Sequence, residues 1–223
     1  MAVKKYRSKY YLKKEFETLI TGLYEIKRNY QLFKVISSGD NHQILCENFP
    51  HTFSIILKAL LDKTIVGIFK YVYDKDSKSI TVTDILKMYV EDSLLFKEKN
   101  YYYATDIATG KRVRMTFDKR DAQNCIDVLK KDLAKYKNIE TFMKTYRNKF
   151  VAHCDKKYNF DSKIKIGKVK VKYDEIETFI DLIITDVNNL YNCVFGITYA
   201  CHYEELKEMK DIAELIQKGI GDK

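Results

Sequence analysis

A single proline, Pro50, stands in 223 residues, and glycine occurs only eight times. A many-turned β sandwich needs such chain-breaking residues in quantity, so their scarcity confines this chain mainly to long helices. The apolar pattern agrees. Phe16, Leu19, Leu23, Ile26, Tyr30 and Phe33 recur at the three- and four-residue spacing of a helix that buries one face, which predicts a helix from about Tyr6 to Val35. It ends at Ser37-Ser38-Gly39-Asp40. After Pro50 a second helix runs to about Tyr73, and Phe53, Ile56, Leu57, Leu60, Leu61, Ile65, Ile68 and Phe69 nearly cover it, as a central helix requires. Thr83 is the expected cap of a third, continuing through Ile85, Leu86, Met88, Tyr89, Leu94 and Leu95. A fourth, from Arg120 to about Tyr136, carries Cys125, Val128, Leu129 and Leu133. Another begins near Asn138, and helices from Asp174 to Tyr199 and from Tyr203 to Lys218 close the bundle.

Two stretches break the helical period. From Tyr101 to Phe117 the pattern alternates about Ala108-Thr109-Gly110-Lys111, which predicts a β hairpin. Its register puts Tyr102, Ala104, Val113, Met115 and Phe117 on one face and Tyr103, Thr105, Arg112, Arg114 and Thr116 on the other. The second stretch, residues 156–173, is a basic loop or hairpin with seven lysines, among them Lys156 and Lys157. Within it KIKIGKVKVK alternates strictly about Gly167-Lys168, so Ile164, Ile166, Val169 and Val171 share one face. Lys163, Lys165, Lys170 and Lys172 share the other. Like charges across a strand pair repel. Two readings fit such a face: a polyphosphate backbone that screens it, or a solvated edge that blocks sheet-to-sheet association.

Forty Lys and Arg against thirty-one Asp and Glu leave a charge of +9, with a pI near 9.1, which favours an anionic partner. The N-terminal Lys4, Lys5, Arg7, Lys9, Lys13 and Lys14 precede the first acidic residue, Glu15; contact with nucleic acid is one reading of this run, and a frayed, solvated terminus is the favoured one. The most apolar late segment, Val187 to Tyr203, contains Asn188, Asn189, Asn192 and His202, so it reads as a buried helix and no membrane span is expected. Five cysteines, Cys46, Cys125, Cys154, Cys193 and Cys201, show no CxxC and read as reduced. With no apolar leader after MAVKKYRSKYYLKK, a cytoplasmic protein is expected. Neither His42, Cys46 and His51 nor Cys193, Cys201 and His202 has a recognised metal-ligand spacing, and no GxGxxG, P-loop or HExxH occurs. No metal and no cofactor are expected.

One short string carries chemistry. Ile139, Phe142, Met143, Tyr146 and Phe150 form an apolar stripe that runs into His153, while Arg147 lies on its rim, about 100° around from Tyr146 and about 120° from His153 on an ideal helix. An arginine fork holds two oxygens of a phosphodiester, and a histidine both takes and gives a proton at neutral pH. Geometry alone equally allows a core or interface histidine. Cys154 beside His153 points about 100° away, which makes a Cys/His nucleophile pair poorly placed.

The string RNKFVAHCD, with five residues between Arg147 and His153, resembles the signature of the HEPN superfamily of nucleotide-binding domains. The form RNxxxAHxD near the end of a helical chain is most similar to its abortive-infection branch, the AbiU and AbiV types. The resemblance implies a HEPN-like bundle of about six helices, a single domain over residues 1–223, with the two hairpins as insertions. It also implies a metal-independent endoribonuclease of a phage-defence or toxin–antitoxin system. In that reading Arg147, Asn148 and His153 are catalytic, and Tyr146 and Asp155 stand behind them. Lys149, Lys156, Lys157, Lys163, Lys165, Lys170 and Lys172 bind RNA. A homodimer with the motif helix near its interface is expected, and an antitoxin or phage-encoded partner is a further expectation. The alternative is a HEPN interaction or nucleotide/RNA-binding module without chemistry, partnering another defence protein. One departure bears on regulation: where the nucleotidyltransferase-linked type places a tyrosine two residues after the histidine, this chain has Asp155, and Tyr158 lies five beyond His153.

Overall fold

The computed structural model describes residues 9–37, 45, 48–74, 80–91, 100–105, 109–117, 119–147, 164–166 and 169–197. Within them the protein is mainly α, with helices α1 (Lys9–Ser37), α2 (Pro50–Ile68), α3 (Val82–Glu91), α4 (Lys119–Lys135), α5 (Lys137–Tyr146) and α6 (Tyr173–Phe195). Two antiparallel hairpins interrupt them: β1 (Asn100–Thr105) with β2 (Arg112–Phe117), and β3 (Ile164–Ile166) with β4 (Val169–Val171). The expected helix over 203–218 lies outside the described residues.

The first helix buries the predicted stripe, Phe16, Leu19, Leu23, Ile26, Tyr30 and Phe33, and adds Leu12, Ile20 and Ile36. It packs on α2 and α6. Two glycines let α1 and α2 approach closely: a Cβ on Gly22 would run into the Tyr71 ring, and one on Gly67 would lie 2.7 Å from Cγ1 of Ile26. Small residues are needed there because the neighbouring side chain already fills the groove between the helices.

Two expectations about α2 and α3 need correction. The second helix is central only in its later half, where Leu61, Thr64, Ile65 and Ile68 are buried. Upstream, Ile55 is 70% exposed and Phe49 is 48% exposed. An apolar run reports that a helix is apolar, but not which neighbour covers each turn. The cap of α3 is Thr81, not Thr83. Its Oγ1 accepts the Asp84 N–H at 3.1 Å while the Asp84 carboxylate accepts the Thr81 N–H at 3.1 Å. This reciprocal pair satisfies two backbone donors at the buried helix start.

In α4 the buried positions are Ala122, Ile126 and Leu129, whereas Val128, one of the apolar residues the sequence analysis names on this helix, is 48% exposed. The last described helix stops at Phe195, short of Tyr199, because Gly196 takes the left-handed conformation at φ 68° and returns its N–H to the Asn192 carbonyl at 2.8 Å. Its N-terminus follows the β4 strand, with Glu175 accepting the Lys172 N–H at 3.1 Å.

Both hairpins keep their predicted registers. Tyr102 pairs with Met115, Ala104 with Val113 and Tyr103 with Arg114 across the first. In the second, Lys165 faces Lys170 and Ile164 faces Val171. That hairpin lies on α5, where Val171 is buried.

Candidate functional site at the end of the fifth helix

The stripe on α5 is fully inside: Ile139, Phe142, Met143 and Tyr146 are all 0% exposed. Each such side chain contributes roughly 1.5–3 kcal/mol relative to exposure, which fixes the helix face and hence the direction of its last turn. Tyr146 turns its hydroxyl into the protein and donates it to Oδ1 of Asp62 on α2. Asp62 also takes Lys58 Nζ at 2.8 Å. The carboxylate thereby ties α5 to α2 one residue before the motif. Burial, reinforced by the Asp62 hydrogen bond and charge, raises the Tyr146 pKa, so this hydroxyl keeps its proton.

Arg147 follows on the rim, exposed, as the helical geometry requires. Its guanidinium carbon sits over the Phe69 ring, 4.7 Å from the centroid. Among the described residues no carboxylate pairs with it. A stacked, unpaired guanidinium is held in place while its donors remain open to an anion. Phe69 belongs to a widened π turn, Phe69–Tyr73, that prolongs α2 and closes with the Asp74 N–H on the Phe69 carbonyl at 2.9 Å.

Arg147 stands at a cavity of about 850 Å³ lined by residues of the π turn (Phe69, Tyr73), Asp74, Thr83 of α3, Leu133 and Ala134 of α4, and Lys137, Glu140 and Lys144 of α5. Glu140 accepts Lys137 Nζ at 2.6 Å and Lys144 Nζ at 2.5 Å. Burial alone would raise its pKa. The two ammonium hydrogen bonds outweigh that and lower it, keeping the carboxylate ionised between its lysines. The wall is therefore cationic on balance, three basic side chains against Asp74 and Glu140.

Of the other sequence-predicted site residues, Lys172 is exposed beside β4, and the backbone register opposes Lys165 to Lys170. Asn148, Lys149, His153, Asp155, Lys156, Lys157 and Lys163 lie outside the described residues. On the first hairpin Arg112 and Arg114 are exposed.

A second polar cluster joins α4 to α6 away from the motif. Cys125 and Cys193 are free thiols with their sulfurs 3.5 Å apart. The hydrogen bond from Cys193 lowers the Cys125 pKa. Nearby Asp186 is 5% exposed, and burial, then the charge and hydrogen bond of Asp132, push its pKa up to about 7.

Sequence reasoning missed Asp62, Phe69, Tyr73, Lys137, Glu140 and Lys144. Two signals were available: the lone acid in the apolar run of α2, and Lys137, Glu140 and Lys144 at helical spacing on the polar side of α5. Nothing local in the sequence marks Tyr73. Among the described residues no helix is long and apolar enough to cross a membrane. The same residues contain no group of three or more His, Cys, Asp or Glu side chains that could hold a metal.

A family model described as AbiU2, of the HEPN type, matches residues 9–214. No curated protein and no solved structure matches the chain.

Proposed function

The chain belongs to the AbiU2 family of HEPN-type abortive-infection proteins, and from that membership we propose that it is an endoribonuclease whose chemistry is done by side chains alone. Arg147 carries the proposal. It projects from the end of a fully buried stripe, stacked on Phe69 and without a carboxylate partner among the described residues, beside a cationic cavity. That is how a phosphate-holding group is kept ready.

The substrate's 2′-hydroxyl attacks the adjacent phosphorus. Its proton passes to a base as the P–O5′ bond breaks, and the departing oxygen takes a proton, leaving a 2′,3′-cyclic phosphate and a 5′-hydroxyl. His153, six positions after Arg147, moves the protons. Arg147 neutralises charge on the non-bridging oxygens and Asn148 orients the phosphate or the imidazole. The lysines at 149, 156, 157, 163, 165, 170 and 172 hold the RNA backbone. Arg147 and His153 splay by about 120° on an ideal helix, so a cleft shared by two chains, with the α5 end near a homodimer interface, supplies the missing alignment. The setting is phage defence, with an antitoxin or a phage product as the controlling partner.

Product analysis tests the reaction class. Cleaved RNA should carry a 2′,3′-cyclic phosphate, and 2′-deoxy substitution at the cleaved position should stop the reaction. Cleavage of fully 2′-deoxy substrates would remove the internal nucleophile from the account. Sedimentation equilibrium tests the shared cleft, which fails if a strict monomer retains full activity.

A further inference from the structure

Two thiols meet where α4 packs on α6. Cys125 of α4 and Cys193 of α6 have their sulfurs 3.5 Å apart. Two helical turns along the same seam, Asp132 of α4 bonds Asp186 of α6. The first position rises by seven residues, from 125 to 132, while the second falls by seven, from 193 to 186, so the two helices run antiparallel in matching steps. Leu129 and Leu190, between the two pairs, are both 0% exposed. Close packing of that kind holds the sulfurs where they are. A disulfide has an S–S bond of about 2.05 Å, so the thiols stand about 1.5 Å short of one, a gap closed by rotation about the two Cα–Cβ bonds with a small shift of the helices.

The two thiols differ. Cys193 is buried, whereas Cys125 is half-buried and open in part to solvent. The hydrogen bond from Cys193 lowers the Cys125 pKa, against burial and the charges of Asp121 and Asp186. The same hydrogen bond, with burial, raises that of Cys193. An accessible sulfur that gives up its proton more readily, beside a buried one that keeps it, is the pairing of an attacking thiol with a resolving one.

We propose that Cys125 and Cys193 form a reversible disulfide that staples α4 to α6, with hydrogen peroxide as the oxidant. The Cys125 thiolate attacks one peroxide oxygen, the O–O bond breaks, and the departing hydroxide takes a proton from solvent, leaving Cys125 as a sulfenic acid. The Cys193 sulfur then attacks the Cys125 sulfur. The S–O bond breaks, and its oxygen leaves as water with the Cys193 proton. Two thiols and one peroxide thus give one disulfide and two waters, the sulfurs oxidised and the peroxide oxygens reduced; a dithiol reductant reverses the result. The proposal stands independently of the nuclease reading.

The test treats the reduced full-length protein with equimolar hydrogen peroxide, blocks the remaining thiols by alkylation, and maps the protein by mass spectrometry after digestion without reductant. Peptides carrying Cys125 and Cys193 should appear joined, lighter by two hydrogens than the separate reduced peptides, and dithiothreitol should part them. The linked protein should melt about 5 °C or more above the reduced one. Cys193→Ala removes the resolving thiol, so the Cys125 sulfenic acid should persist and be captured by dimedone, which should capture little of it in the wild type. Cys125→Ser should leave Cys193 reduced at the same dose. The proposal is overturned if the joined peptides do not form, if Cys46, Cys154 or Cys201 takes either partner in preference, if Cys193 is oxidised as readily in Cys125→Ser, or if the linked protein melts no higher than the reduced one. Should Cys193→Ala fail to fold, the wild-type linkage and Cys125→Ser decide the matter on their own.

Discussion

Replacing Asp186 with asparagine should stabilise the protein at neutral pH and remove part of its pH dependence. Asp186 faces α4 from α6, is 5% exposed, and its Oδ2 has no hydrogen-bond partner among the described residues. Burial, followed by the charge and hydrogen bond of Asp132, raises its pKa from 3.8 to about 7. Because the folded value lies above the unfolded one, the folded chain holds a proton between them that the unfolded chain releases. The group costs nothing below the unfolded value. Its penalty grows as the pH climbs toward about 7 and is complete above it. At about 1.36 kcal/mol per pH unit the full penalty is roughly 4 kcal/mol, an upper bound because local relaxation and water entry relieve part of it. Asparagine keeps the shape, never ionises, and can donate its amide to Asp132. Urea unfolding followed by far-ultraviolet circular dichroism, at one-unit steps from about pH 4 to about pH 8, gives both stability curves. Asp186→Asn should be about 1–4 kcal/mol more stable at the top of that range and indistinguishable from wild type at the bottom. A stability difference independent of pH, or a variant less stable at the top, would show that Asp186 is not a buried carboxyl forced to share a proton with Asp132.

Tyr146→Phe removes the donor to Asp62 and should cost about 1.5–3 kcal/mol in the same unfolding assay, the range for a hydrogen bond to a charged group; a loss below about 0.5 kcal/mol would mean that Asp62 is satisfied by Lys58 alone. Gly67→Ala should lower the melting temperature, because the new methyl meets Ile26 at 2.7 Å. Overpacking costs about 1–3 kcal/mol, which exceeds the gain of up to about 1 kcal/mol from better helix propensity. A raised melting temperature would show that α1 and α2 can separate freely. Changing Lys163, Lys165, Lys170 and Lys172 to glutamine together should weaken RNA binding and flatten its salt dependence, by about 0.7 in the log–log slope for each phosphate that is no longer neutralised. An unchanged slope would leave those lysines as a solvated edge.

Much of the fold was legible because it rests on local periodicity. The α1 stripe, the α5 stripe and both hairpin registers follow from spacing alone, since a helix or strand that buries one face must repeat its apolar residues at its own period. What was not legible depends on neighbours. The α2 sequence is apolar on nearly every side, so it could not reveal that Ile55 faces out while Phe53, Ile56, Leu57 and Leu60 are only half-buried against Ile36 and Leu45. The α3 cap went to Thr83 because threonines at positions 81 and 83 look alike until Asp84 shows which one it reaches. For the candidate site, the rim position of Arg147 followed from its place after Tyr146. Its stack on Phe69 did not, because that contact joins helices far apart in sequence and depends on a π turn that no residue pattern announces. The Asp132–Asp186 and Cys125–Cys193 pairs were hidden in the same way, each half unremarkable until α4 meets α6.

The most direct test of the central claim is RNA cleavage in EDTA by wild type and by His153→Ala, with thermal stability and sedimentation recorded on the same samples. The wild type should cut cellular RNA. The variant should lose about 10²–10⁴-fold or more of that rate, the usual contribution of a general acid–base group, while melting and sedimenting like wild type. No cleavage by the wild type across varied cellular RNA, or a His153→Ala protein that unfolds without a specific catalytic defect, would contradict the nuclease account and leave a HEPN interaction module in its place.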